Sequence, residues 1–592
     1  MTRDTQRRAR RLSNGMSMAV LLCGAASVAI AAPAGSDPKT RRHHARPHAS
    51  AAGSRGEVQQ LKEEVRALKD QLQQLQSNVQ AVQSWRDTQT AAQAQTEQQL
   101  AATREQAAQA TARADRAEAQ VQGQIQTIPT EVNAAVEAAK PKTDKLYYKG
   151  IGITLGGFLA AEGIYRSRAE TADIASSFSG IPFNNSIAGH TSEARGTARQ
   201  SRLSILAQGD INPDTHAAFY AEFDFQGAAQ TANSKESNSY NPRIRNVYGT
   251  IDWDNWGLEI LAGQSWSLAT LNNKGITPRN EVIPAVVDAQ YVPGFTWTRQ
   301  PQVRIVKNWN KEVWVAVSFE SPQSTFAATP TGVTQTAPGV TATTTAIPTA
   351  GFDIANPLSL NHYPDVIGKF AYEPTIGGAQ PLHLEVYGLF RSYLDRVDYA
   401  AINALGIPAG GRNFNTTGGG VGGGFTYAVI PNRLDLQGSF LTGKGVGRYG
   451  AAQLPDTVVR PDGSLAPITE TMFLVGGTLH ATSDLDVYVY GGQERESRQT
   501  FAVAGSPAAF GFGNPAAVLT GCSTEGGTCV PNLRQVDQVA VGFWDKVYSG
   551  HFGQVRVGVE YSHTNLTAFD GVGGTPKTSD DMVFTSFRYY PF

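Results

Sequence analysis

Beyond residue 31 the chain has no run of about 18 apolar residues, which excludes helical membrane spans. Mean hydropathy is −0.27, too low for a helical membrane protein but suited to a sheet with one polar face. Cysteine is scarce, with three in 592 residues. Two of them, Cys522 and Cys529, sit in a Gly/Ser/Thr segment between strand patterns and read as a disulfide closing a small loop. With no histidine or further cysteine nearby, they make no metal site. Neither sign of charge is in excess, 50 Lys and Arg against 51 Asp and Glu for a net −1, so nothing marks a nucleic-acid partner. Histidine numbers only ten. Those beyond residue 148, among them His383, His480, His551 and His563, form no Ser/His/acid constellation, so neither an enzyme nor a cofactor is expected.

What is present reads in order. Residues 1–31 have the form of a secretory signal. Arg3, Arg7, Arg8, Arg10 and Arg11 precede an apolar stretch from Met16 to Ile30, and Ala29-Ile30-Ala31 gives a small-x-small cleavage pattern. Leu22 stands before Cys23 where a lipobox needs a small residue, which argues against lipidation. Residues 32–54 are a flexible basic arm, and its His43-His44 pair belongs to a solvated tail. Over residues 55–125, Val58, Leu61, Val65, Leu68, Leu72, Leu75, Val79 and Val82 step by three and four. That is an a/d coiled-coil seam, too narrow to dock on a large core, and copies of the same helix in an oligomer are its natural partners. Past Trp85 the seam fades into Ala and Gln, which favour helix but bury little. Residues 126–147 form a linker containing Pro129 and Pro141. The helical stalk is expected in the periplasm, because the first strand begins directly after it.

Residues 148–592 carry the period-two pattern of strands. At the C-terminus Val555, Val557, Val559 and Tyr561 alternate with Gln554, Arg556, Gly558 and Glu560, and the last strand ends on SFRYYPF. Farther upstream, Leu155 and Leu159 alternate with Glu162, Arg166 and Arg168, and Leu203 and Ile205 with Arg202. Phe219 and Phe223 alternate with Glu222 and Asp224, Val303 and Ile305 with Arg304, and Leu384 and Val386 with Glu385 and Arg391. Arginine on a lipid-facing position near the midplane costs about 2–4 kcal/mol, so the charged parity must face a wet lumen. The expected fold is an all-β transmembrane barrel of about sixteen antiparallel strands, with an N-terminal α-helical coiled-coil stalk. Trp253, Trp256, Trp266 and Trp544 near strand ends suit the membrane interface.

Connections alternate between tight turns, such as Ile211-Asn212-Pro213-Asp214 and Ile430-Pro431-Asn432-Arg433, and long loops. The long ones are Arg168–Arg195, Ser321–Pro364, Tyr393–Arg412 and Phe501–Pro531. Thr325–Thr349 reads as a mobile loop. Leu268–Trp297 carries apolar patches, Val282-Ile283-Pro284 and Val286-Val287, which point to a loop folded into the lumen; packing between subunits is the alternative. The Gly-rich Asn415–Tyr427 fits no clear pattern. Gly438–Gly445 matches GxxxxGK but lacks the following Ser/Thr and sits on an alternating strand, so it is no phosphate loop.

With those residues in place, the chain resembles the DcaP-like outer-membrane porins. The likeness rests on the heptad stalk after a signal peptide, on GGFLAAEGIYRSR (Gly156–Arg168), RQSRLSI (Arg199–Ile205), LAGQSW (Leu261–Trp266), RQPQVR (Arg299–Arg304) and GKGVGRY (Gly443–Tyr449), and on the ending VFTSFRYYPF. The resemblance implies a homotrimer of sixteen-stranded barrels and diffusion of small anionic solutes, dicarboxylates in particular. One departure is Arg588, on the parity of Tyr590 and Phe592, where an outward apolar residue is expected; a place at a rim or a subunit contact would account for it.

The expected pore-lining, anion-selective residues are Arg166, Arg168, Arg202, Arg304, Arg391 and Arg556, since guanidinium suits carboxylates. Glu162, Glu222, Asp224, Glu385 and Glu560 form the opposing acidic lumen. For any single arginine the alternative is a salt bridge that stiffens the wall. Competing functions are a phosphate- or sugar-selective porin, the latter using Tyr387, Tyr488 and Tyr490 as an aromatic slide, and a stalk that tethers the outer membrane to the cell wall.

Overall fold

A computed structural model describes Glu105 and residues 146–592, except 228–240, 329–330, 338–339, 349–357, 377–379, 401–405 and 504–505. The expected signal, basic arm, coiled-coil stalk (Glu105 apart) and nearly all of the linker lie outside the described residues.

Sixteen antiparallel strands form one closed wall. They are β1 (Ile151–Arg166), β2 (Arg202–Asn212), β3 (Thr215–Gly227), β4 (Asn241–Trp253), β5 (Leu258–Trp266), β6 (Arg299–Trp309), β7 (Val313–Glu320) and β8 (Asp365–Tyr372). There follow β9 (Gln380–Tyr399), β10 (Gly410–Ile430), β11 (Leu434–Lys444), β12 (Thr469–His480), β13 (Leu485–Glu496), β14 (Leu533–Gly550), β15 (Gly553–Ala568) and β16 (Lys577–Tyr590). The ring closes where β16 pairs with β1, from Leu159↔Tyr589 to Arg166↔Met582. No edge strand remains in the wall, which is what a lipid environment demands of a sheet.

The period-two alternation sets which way each side chain points. Leu159, Val489, Val541 and Phe587 stand exposed on the outer face, while Ile164, Glu162, Tyr488 and Phe584 are buried inside. The phase of β16 corrects one expectation. Arg588 pairs in register with inward Arg556 and with Ala160, so Phe584, Ser586, Arg588 and Tyr590 share the inner face, and Arg588 needs no subunit contact. Two of the four tryptophans expected at the membrane interface also turn inward. Trp266 and Trp544 are buried, whereas Trp256 is exposed at the short-turn rim.

Other boundaries moved for physical reasons. The Gly-rich stretch lies within β10, and the connection expected over Tyr393–Arg412 shrinks to residues 400–409. Its glycines are a fitting strip: a Cβ on Gly422 would collide with the Tyr387 ring, and one on Gly424 would crowd Leu271 at 2.9 Å. The segment expected to be a mobile loop contains a hairpin of Thr331–Ala337 with Val340–Thr345, and the second arm pairs with the outer end of β9. Cys522 and Cys529 are disulfide-bonded.

Val541 sits on the outer face of β14 between Val489 and Tyr561. Val541→Arg should cost about 2–4 kcal/mol, measured as a lower urea midpoint for the barrel folded into lipid vesicles. Thr426→Arg, on an inward β10 residue that lines the wet cavity, should change that midpoint far less.

Candidate pore and its inserted loop

The connection between β5 and β6 does not stay at the rim. Val286, Val287, Tyr291, Val292 and Phe295 form one buried cluster with Ile164, Tyr488, Tyr490, Val536, Trp544 and Phe584, which project inward from β1, β13, β14 and β16. Leu268, Ala269 and Ile276 form a second cluster with Val306, Trp314, Tyr387 and Leu389, which project inward from β6, β7 and β9. The segment Leu268–Trp297 therefore lies inside the barrel.

Apolar packing is only half of what holds it. Its backbone N–H groups donate to carboxylates spaced around the wall. Leu268 N donates to Glu320 Oε1 at 2.8 Å, Asn272 N to Glu385 Oε2 at 3.1 Å and Gly294 N to Glu494 Oε1 at 2.7 Å. Gly275 N donates to Glu373 and Val287 N to Glu560. In return Lys369 Nζ donates to Thr270 O at 2.7 Å, and Trp544 Nε1 to Ala285 O at 2.8 Å. Hydrogen bonds to a charged partner contribute about 1.5–3 kcal/mol each. Two loop carboxyls feel the enclosure. Burial raises Asp288 above its usual range, with Ser176 and Arg166 pulling it back. Burial likewise pushes Glu170, in the first long loop, up to about 8 despite Arg166 beside it.

The expected site residues divide sharply. Arg166, Arg304 and Arg391 are fully enclosed and line no open lumen. Arg166 donates to Asp173 O at 2.7 Å and Ser176 Oγ at 2.9 Å, tying down the first long loop. Arg168 donates to Ser579 O at 2.7 Å and to Asn184 Oδ1 at 2.8 Å, so it also anchors that loop. Arg304 donates to Trp266 O at 2.5 Å and Gln302 Oε1 at 3.1 Å, fixing the point where the inserted loop departs. Arg391 bridges Asp456 at 2.6 Å and Asp365 at 3.1 Å. Of the acids, Glu162 pairs with Arg588 at 3.1 Å, Glu385 with Lys369 at 2.7 Å, and Asp224 with Arg243 at 2.7 Å. Glu222 pairs with Arg245 at 2.7 Å, and Glu560 holds the loop.

Only Arg202 and Arg556 of the expected ladder reach the large cavity of ≈ 1210 Å³ between the inserted loop and the short-turn ends of the strands. Arg588 joins them there, and the three guanidinium groups stack on rings. Arg202 lies 5.2 Å from the Phe158 centroid, Arg588 4.8 Å from Phe158 and 4.4 Å from Trp544, and Arg556 5.1 Å from Tyr590. Another arc of the same cavity carries Glu373, Asp435 and Asp486 with His383 and His480. Each of these histidines sits between two carboxylates: His480 between Asp486 at 2.6 Å and Asp435 at 3.2 Å, His383 between Glu373 at 3.0 Å and Glu385 at 3.1 Å. Of the expected aromatic slide, Tyr490 lines the cavity, while Tyr387 and Tyr488 do not.

The fold of the wall is shared with a solved structure. The barrel has the fold of DcaP. The crystal structure of the outer membrane channel DcaP of Acinetobacter baumannii matches with a TM-score of 0.51 and 17% identity, over 75% of this chain and 99% of that one. Weaker likenesses are to Salmonella typhi OmpF in complex with daunomycin (TM-score 0.41, 10% identity, 75% of this chain and 99% of that one) and Pseudomonas putida OprB (0.40, 10%, 74% and 94%). No family model and no curated protein matches the chain. The DcaP-like wall accounts for inward and outward parity; the arginine partners are read from this chain alone.

Arg391 separates the two roles an arginine can take here. Arg391→Met leaves Asp365 and Asp456 buried without their cation and should cost about 3–5 kcal/mol, seen as a lower unfolding midpoint, with ion selectivity unchanged. A selectivity change at unaltered stability would return Arg391 to the pore.

Proposed function

We propose that the chain is an outer-membrane diffusion channel for small anionic solutes, dicarboxylates among them. The observation that carries this reading is the arc of Arg202, Arg556 and Arg588 on the wall of the ≈ 1210 Å³ cavity. Their guanidinium planes are steadied by aromatic rings rather than consumed wholly by carboxylates, so donors remain for a passing anion. Glu373, Asp435 and Asp486 stand on the other arc, and Lys274, Lys311, Glu222 and Glu281 also line the cavity, so the arginine arc rather than a clean separation of charge carries the reading. An anion is drawn to one side and held weakly, as permeation requires.

Reversal potentials across planar bilayers in a KCl gradient test this. The wild-type channel should prefer chloride, and Arg202→Gln with Arg556→Gln should lower the anion-to-cation permeability ratio about twofold for each charge removed. Cation preference in the wild type would end the proposal.

We further propose assembly as a homotrimer through the Val58–Val82 seam, with the stalk in the periplasm. Removing residues 55–125 should lower trimer yield in crosslinking of the detergent-solubilised chain and leave single-channel conductance intact.

A further inference from the structure

At the long-loop end of the barrel, three glutamates share one inward face. Glu470 on β12 stands directly opposite Glu496 on β13, and Glu494 lies two residues before it. All are enclosed, at 1%, 0% and 2% exposure for Glu470, Glu494 and Glu496. They are close enough to repel one another and Asp456. Both carboxylate oxygens of Glu470, both of Glu496 and Oε2 of Glu494 have no hydrogen-bond partner. The remaining oxygen, Glu494 Oε1, accepts from Gly294 N at 2.7 Å and Ala452 N at 2.9 Å. Arg391 is spent on Asp456 and Asp365. The neighbouring chain is trimmed to admit the carboxylates: a Cβ on Gly447 would meet Glu470 Oε2 at 2.8 Å, and one on Gly450 would collide with Glu494 Oε2.

Carboxylates in a dry site without a counter-charge are costly, and a bound cation removes that cost. We propose that Glu470, Glu494 and Glu496 form a calcium site. The donors are all oxygen, with no imidazole or thiolate, which selects a hard ion, and Ca²⁺ tolerates irregular spacing where Mg²⁺ demands an octahedron. Among the described residues, no three His, Cys, Asp or Glu side chains are placed to hold a metal ion as they stand, so the proposed site forms only as binding draws the Glu470 and Glu496 carboxylates together. Because Glu494 also holds Gly294 of the inserted loop and Ala452 of the β11–β12 connection, the ion braces both segments.

The full-length chain, refolded in detergent and stripped of divalent ions with a chelator, is titrated with CaCl₂. One ion should bind per chain by calorimetry, and at a hundredfold excess over Kd the thermal midpoint should rise by about 3 °C. Amide exchange at Gly294 and Ala452 should slow. The E470Q/E496Q variant should lose binding and shift, whereas Asp484→Asn, on an exposed turn, should keep both. A wild-type chain that binds no calcium overturns the site, as does a shift that survives in E470Q/E496Q. A calcium-free gain in stability in that variant, with no wild-type response, would mean the glutamates share protons instead. If the variant does not fold, wild-type exchange decides: unslowed amides at Gly294 and Ala452 overturn the proposal.

Discussion

An irregular segment inside a barrel has backbone N–H groups that no neighbouring strand satisfies, and each left unpaired in a dry interior costs free energy. The whole interior is arranged around that constraint. Glu320, Glu373, Glu385, Glu494 and Glu560 accept from five points along the inserted loop, and they come from widely separated parts of the wall. The loop is thus latched to its own strand pair and to the far side of the ring. Part of the inward charge follows from this need: Glu385, which holds Asn272 N, also pairs with Lys369. The pairs of Arg391 with Asp365 and Asp456 and of Arg245 with Glu222 and Asp224 serve other segments.

That hierarchy explains how far the residues could be read before the structure. Parity alone told inward from outward on most strands, since Val555 to Tyr561 and Leu384 to Phe390 have one greasy side and one charged side. It also brought Glu385 and Glu560 inside. It could not rank the inward arginines, because an alternating pattern is the same for a guanidinium that meets solute and one that meets Asp456. The partners that decide the matter are distant in sequence: Arg391 and Asp456 are 65 residues apart, and Arg588 and Glu162 are 426 apart. Arg243, Arg245, Arg299 and Lys369 went unnoticed for the same reason, although Lys369 could have been found as the one cation facing inward on a strand whose outer positions are Phe370 and Tyr372. The β10 glycines escaped because they carry no pattern of their own; they are the negative of Tyr387 and Leu271.

Arginines at the cavity differ from the enclosed ones in how much of the fork is already committed: Arg391 has rings beside it as well, 5.1 Å from Tyr393, but also two carboxylates, whereas Arg588 has one, Glu162. A carboxylate at hydrogen-bonding distance uses up the planar fork and cancels its charge, as at Arg391. An aromatic face restrains the same group through its ring while leaving the edge donors and the charge available. Arg202, Arg588 and Arg556 are held through Phe158, Trp544 and Tyr590, and Phe158 itself packs 5.2 Å from Tyr590, so the rings form a continuous support across the seam where β16 meets β1. The rings at the closure of the barrel therefore also support guanidinium groups from its neighbouring strands, Arg202 from β2 and Arg556 from β15. The inward aromatics of the last strand divide the work: Tyr590 supports Arg556, while Phe584 packs under the inserted loop.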